Sequence, residues 1–241
     1  MAHSSTDLLH LDSRSLEKRL RDRPLLILPV GALEAHGPHL PLGADQLQAE
    51  ATARALAGRV GALVAPTVAY GSCPGARNFP GTVSLSIAEL SSHVRGILGE
   101  FARMGVRRIL VLSGHAERGH MAALRESADD VLRQYPDLRI VVLSDYDFVY
   151  ELRGTNAPET DGHGGLLETS RVLHLAPDSV GPERPVVPRR GSPFVPGPPP
   201  VSDWPESVQG DTRPASPELG ARVQEHVVRR LEETVRELLP G

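Results

Sequence analysis

Apolar residues follow two rhythms along the chain. Short unbroken runs at Leu25–Val30 and residues 62–65, 108–112 and 138–143 have the length and continuity of strands buried on both faces. Between them the spacing becomes helical. Residues 46–57, 86–104 and 121–135 read as helices, the second striped by Ile87, Leu90, Val94, Ile97, Leu98 and Phe101 and stopped at Gly105. Residues 166–175 resemble a further short helix. Ser216 as N-cap and Pro217 in the first turn open a last helix reaching residue 239, whose Leu219, Val223, Val227, Leu231, Val235 and Leu238 form one apolar stripe for core or subunit contact. Strands alternating with helices predict βαβ units and a mainly parallel sheet, an α/β fold, with right-handed crossovers.

Polar residues that carry chemistry stand at the carboxyl ends of two of these strands, where open α/β sheets bind ligands. After the first strand come Glu34 and His36, two apart and so on one side of an extended segment, followed by Asp45. Gly37, Pro38, Pro41 and Gly43 bend the chain enough to bring Asp45 back to them. After the strand at 108–112 come His115 and Glu117, two further candidate ligands. A third cluster sets His163 in a glycine-rich loop and Glu168 in the first turn of a helix, where a carboxylate is favoured with or without a metal. A loop imidazole beside a metal can take and give protons near neutral pH. Imidazoles with carboxylates, and no thiolate, suit Zn, Mn or Fe(II) at a reactive site better than a structural zinc.

Bulk properties narrow the classes. A chain of 241 residues, 40% apolar, can bury one core and reads as a single domain over 1–241. The proline-dense stretch 182–206 reads as a loop or arm of that domain. A formal charge of -4 gives no basic field for nucleic acid and favours a small-molecule or peptide partner. Cys73 is the sole cysteine, so no intrachain disulfide forms and a reducing cytoplasm is expected. The first ten residues lack the layout of a signal peptide, and no apolar run reaches membrane-spanning length.

Taken together, the run from Leu28 to Asp45, the Phe79-Pro80-Gly81-Thr82 turn, Ser113-Gly114-His115, the segment His163 to Ser170 and Gln209-Gly210-Asp211 resemble the creatininase (creatinine amidohydrolase) family, in family order over roughly residues 24 to 235. The resemblance implies a three-layer α/β/α sandwich, two divalent metal ions per subunit, C–N bond hydrolysis of a small amide, lactam or formamide, and a homo-oligomer, frequently a hexamer. Zinc is the first expectation for the metals, with manganese or iron as alternatives. Glu34, His36, Asp45 and His115 match family metal ligands, Asp45 in the bridging place. Glu117 matches the last ligand of creatininases proper, and Glu168 the carboxylate that other relatives retain. His163 matches the catalytic histidine, while Ser72, Arg77 and Arg118 are candidates for binding substrate, the two arginines suiting an anion. The sequence departs from the family in having no aromatic residue at 156–161, where creatininases proper close a Trp over the substrate. Other readings are a peptidase acting on a modified peptide and a non-catalytic ligand-binding member of the fold.

Overall fold

The computed structural model describes residues 6–188 and 204–241. Its centre is a four-stranded sheet in the order β2-β1-β3-β4, with β1 at Leu25–Val30, β2 at Leu63–Val64, β3 at Arg108–Ser113 and β4 at Arg139–Ser144. Every pairing is parallel, running from Leu25 opposite Arg108 to Val30 opposite Ser113, and from Arg108 opposite Arg139 to Ser113 opposite Ser144. The matched register brings the carboxyl ends of β1, β3 and β4 to one level.

Alternate strand residues serve two cores. Leu25, Ile27, Leu110, Leu112 and Leu143 pack with α2 (Ala44–Val60), α6 (Leu166–Leu175) and α7 (Pro217–Leu238). Leu26, Leu28, Val30, Ile109 and Val111 pack with α3 (Ile87–Arg103) and α4 (Arg118–Leu132). The result is a parallel sheet between two helical layers. Three smaller pieces complete it: α1 (Ser13–Arg21), the single turn α5 (Tyr146–Val149) directly after β4, and an antiparallel pair of β5 (Val186–Val187) with β6 (Gly210–Asp211).

Local signals account for most boundaries. Ser86 accepts from Glu89 N while Glu89 reaches back to Ser86 N, a capping box that starts α3, and Gly105 at φ +98° follows its end. Helix α7 begins as expected, with the Ser216 hydroxyl accepting from Leu219 N and Pro217 in the first turn. Its stripe ends differently: Leu238 is exposed, and Leu239, beyond the last turn, is buried instead. Helix α4 starts at Arg118, three residues before the predicted boundary, because Glu117 caps it by accepting from His120 N. Of the proline-dense stretch, residues 189–203 lie outside the described residues.

Candidate metal centre

Two glycines let the amino end of α2 sit directly on the sheet. A Cβ on Gly114 would lie 2.1 Å from the Asp45 carbonyl oxygen, and one on Gly31 would lie 2.7 Å from the Gln46 backbone. The close approach sets Asp45, in the first turn of α2, between the residues following β1 and those following β3. There its carboxylate divides: Oδ1 lies 3.2 Å from His36 Nε2, and Oδ2 lies 3.1 Å from His115 Nδ1. Glu168 Oε1 joins the first half at 3.5 Å from His36 Nε2, and Glu34 Oε2 joins the second at 3.1 Å from His115 Nδ1. All five side chains are buried.

The imidazoles are held by their other nitrogens. His36 Nδ1 lies 3.0 Å from the Glu34 carbonyl and His115 Nε2 lies 3.1 Å from the Ser72 carbonyl, so each donates there and turns its remaining nitrogen inward. Glu168 is fixed by Gln48 Nε2 at 2.9 Å, Gly164 N at 2.8 Å and the Tyr146 hydroxyl. After this bracing Glu34 Oε2, His36 Nε2 and Asp45 Oδ2 remain buried with no hydrogen-bond partner. Converging, unpartnered lone pairs are costly unless a cation takes them. The mixed nitrogen and oxygen donors fit a divalent metal.

Electrostatics agree with a site short of positive charge. Burial opposes ionisation of Glu168, yet the His36 imidazole outweighs it and holds the carboxyl at about 2. For both histidines burial disfavours charge but the facing carboxylates prevail: Glu168 and Asp45 raise His36 well above the usual imidazole value, and Glu34 and Asp45 do the same for His115. Without metal, protons stand in for the cation.

His163 lies against this cluster without joining its ion pairs. Its ring stacks on His36 with centroids 4.1 Å apart, and Nε2 donates to the Ala35 carbonyl at 2.8 Å, leaving Nδ1 free to accept. Burial, with His36 next to it, lowers its pKa below the ordinary value. Asp161 fixes the approach of its loop to α6, accepting from Leu166 N at 2.6 Å and Leu167 N at 3.1 Å.

A cleft of about 470 Å³ opens over the cluster, lined among others by Glu34, Asp45, His115, His163 and Glu168. The remaining candidates fall in different places. Glu117 and Arg118 line the cleft, but the Glu117 carboxylate is engaged as the cap of α4. Ser72 is buried and acts through its backbone on His115, and Arg77 is exposed, outside the cleft wall. Sequence reasoning missed Tyr150, Arg153, Trp204 and Cys73. Arg153 lies 3.5 Å over the Tyr150 ring, and the buried Trp204 meets His163 edge-on with centroids 5.0 Å apart. Tyr146 and Tyr150 follow the carboxyl end of β4, so the strand-end rule that singled out His115 reaches them too. Trp204 is the sole tryptophan and carried that signal alone.

The creatinine amidohydrolase family profile matches residues 10–235. The chain is 35% identical to creatinine amidohydrolase of Pseudomonas putida over 90% of both chains, and 35% identical to a mycofactocin precursor peptide peptidase of Mycolicibacterium smegmatis over 65% of this chain and 60% of that one. A crystal structure of creatinine amidohydrolase superposes with a TM-score of 0.90 at 32% identity, covering 98% of this chain and 99% of that one. Matching creatininase structures include a zinc–zinc form of a variant and a manganese form, each with a TM-score of 0.89 at 32% identity. The family profile and the creatinine amidohydrolase relatives indicate a hydrolase acting on C–N bonds other than standard peptide bonds. The chain belongs to the creatininase family.

Proposed function

We propose that the protein hydrolyses a small amide, lactam or formamide with two divalent metal ions held by Glu34, Asp45 and His115 on one side and His36, Asp45 and Glu168 on the other. The observation that carries this reading is the set of buried, unpartnered atoms Glu34 Oε2, His36 Nε2 and Asp45 Oδ2 beneath an open cleft. Zinc is the first choice, with manganese or iron as alternatives. When bound, such ions supply a water of lowered pKa and polarise the substrate carbonyl.

The chain's own residues supply the rest. His163, neutral near pH 7 and anchored through Nε2, accepts a proton at Nδ1 from the attacking water and returns it to the departing nitrogen. That return matters because an amide anion is a poor leaving group. Glu34 and Glu168 stabilise the imidazolium in between, since both charges favour it. Trp204 and Tyr150 wall the cleft as aromatic surfaces, from segments other than 156–161. Arg118 and Arg153 line it too and suit a substrate bearing a negative charge. Among the described residues no helix is long and apolar enough to cross a membrane. We place the protein in the cytoplasm as a homo-oligomer, with a hexamer as the first model to test.

The test is metal analysis joined to hydrolysis. Protein stripped by chelation and reloaded with Zn or Mn should turn over members of an amide, lactam and formamide panel, and His163→Gln should lower kcat by about 10²–10⁴-fold at unchanged metal content. Less than one bound ion per subunit, with no turnover after reloading, would sink the reading.

A further inference from the structure

Cys73 is fully buried, yet it is absent from the hydrophobic clusters on both faces of the sheet. A buried free cysteine usually packs as a small apolar side chain. This one sits among polar groups. Donor atoms of Cys73, Glu34 and His115 all lie within 4.8 Å of one another, and Glu34 Oε2, buried and unpartnered, is one of the atoms facing His115 Nδ1. The same short segment fixes both partners: the Ser72 carbonyl accepts from His115 Nε2, and Cys73 N donates to Ser84 Oγ at 2.8 Å.

We propose that Cys73 is a thiolate ligand in one half of the metal centre, completing a four-donor set with Glu34, Asp45 and His115; the proposal rests on the metal-dependent reading above. Around zinc, sulfur sits at about 2.3 Å and imidazole or carboxylate donors at about 2.0–2.2 Å, so neighbouring donors lie roughly 3–4 Å apart. Donor atoms of Cys73, Glu34 and His115 stand within 4.8 Å of one another, and Asp45 meets the set through Oδ2, 3.1 Å from His115 Nδ1. On binding, the cation forms a bond to sulfur and the thiol proton leaves to solvent; nothing is oxidised or reduced. The consequence is asymmetry. The half holding Cys73 is soft and selects zinc, whereas the half of His36, Glu168 and the other Asp45 oxygen is harder and accepts manganese as well. The two positions therefore need not hold the same metal.

The test uses the whole chain, stripped of metal and titrated with cobalt(II), zinc or manganese. A near-ultraviolet sulfur-to-cobalt charge-transfer band is expected in the native protein and absent from Cys73→Ser. Zinc affinity in that variant should fall at least about tenfold, the lower end of losses seen for groups that only orient ligands, while manganese affinity changes less. X-ray absorption of the zinc-loaded native protein needs no variant and should show sulfur at about 2.3 Å. Metal bound with no sulfur signature overturns the Cys73 assignment alone. A native protein that binds none of the three metals overturns the metal-dependent reading and this assignment with it.

Discussion

Two buried polar clusters lie on the α2, α6 and α7 side of the sheet, one turn apart along α6 and two along α2, and they balance their charge differently. In the first, Glu34, Asp45 and Glu168 face the imidazoles of His36 and His115, and acceptor atoms are left over. In the second, Arg171 and Asp145 meet at 2.8 Å, and the same Arg171 Nη2 donates to Thr52 Oγ1 and Gln224 Oε1, each at 3.1 Å, while Asp145 Oδ1 and Arg171 Nε and Nη1 are left without a partner there too. Helices α2 and α6 contribute to both, through Asp45 and Thr52 on one and Glu168 and Arg171 on the other. Burial alone therefore does not mark a site. The difference is charge: the second cluster holds the permanent cation of Arg171, whereas the imidazoles of the first are charged only while they hold a proton.

The sharpest way to break this contrast is to remove one carboxylate from each cluster. Asp45→Asn should cost at least about 10³-fold in kcat/KM, the scale of losing electrostatic stabilisation at a reacting centre, while the metal-free protein melts no earlier than the native one. An unchanged rate would refute the role of Asp45. Asp145→Ala should instead strand a buried guanidinium and lower unfolding free energy by about 3–5 kcal/mol in urea titrations, with Arg171→Met added to it restoring most of the loss. A harmless Asp145→Ala would erase the distinction.

Protons give a subtler comparison. His36 and His115 are raised well above the ordinary imidazole value in the metal-free protein, so at pH 7 they hold protons that an incoming cation must displace. Metal affinity should thus rise with pH, and calorimetry in buffers of different ionisation enthalpy should detect release of about two to three protons per subunit, the third from the Cys73 thiol. The smallest effect belongs to His39, which lies beside the centre and hydrogen-bonds Thr169 Oγ1 at 2.8 Å. Burial, helped by Arg184, lowers its pKa to about 4, below the unfolded value, so the unfolded chain gains the proton first as pH falls. Stability present above about pH 6.5 should decline by about 1 kcal/mol per pH unit toward pH 4, and His39→Gln should flatten that slope. An identical slope in the variant would assign the decline elsewhere.

The contrast also explains what was legible in the sequence. Continuous apolar runs specify buried parallel strands, and β1 appears at the expected bounds despite Pro29, which sits next to its end and still accepts through its carbonyl from Val68 N at 3.0 Å. Helix α2 begins at Ala44, ahead of the expected residue 46, since Gly43 offers no capping side chain and Asp45 looked like part of the preceding turn. Glu34, His36, Asp45, His115 and Glu168 could be proposed because strand ends and helix starts gather ligands. Glu117 is a candidate on the same grounds, and in the structure one of its oxygens, Oε2, caps α4 by accepting from His120 N while the residue still lines the cleft. Cys73 was beyond reach: a loop residue far along the chain from the other donors gives no period to read. Trp204 and Arg153 reach the cleft through tertiary packing for the same reason.

The division of Asp45 between two histidines has a further consequence. One side chain with one rotamer serves two positions, so a cation settling in either half freezes the torsion that the other half requires. The second ion then meets a preorganised partner, and the stepwise constants of the two halves are linked by the reciprocity that governs any pair of coupled ligands. On the proposed two-ion reading this preorganisation works against the repulsion between two neighbouring dications, and the ratio of the stepwise constants would measure which effect is larger.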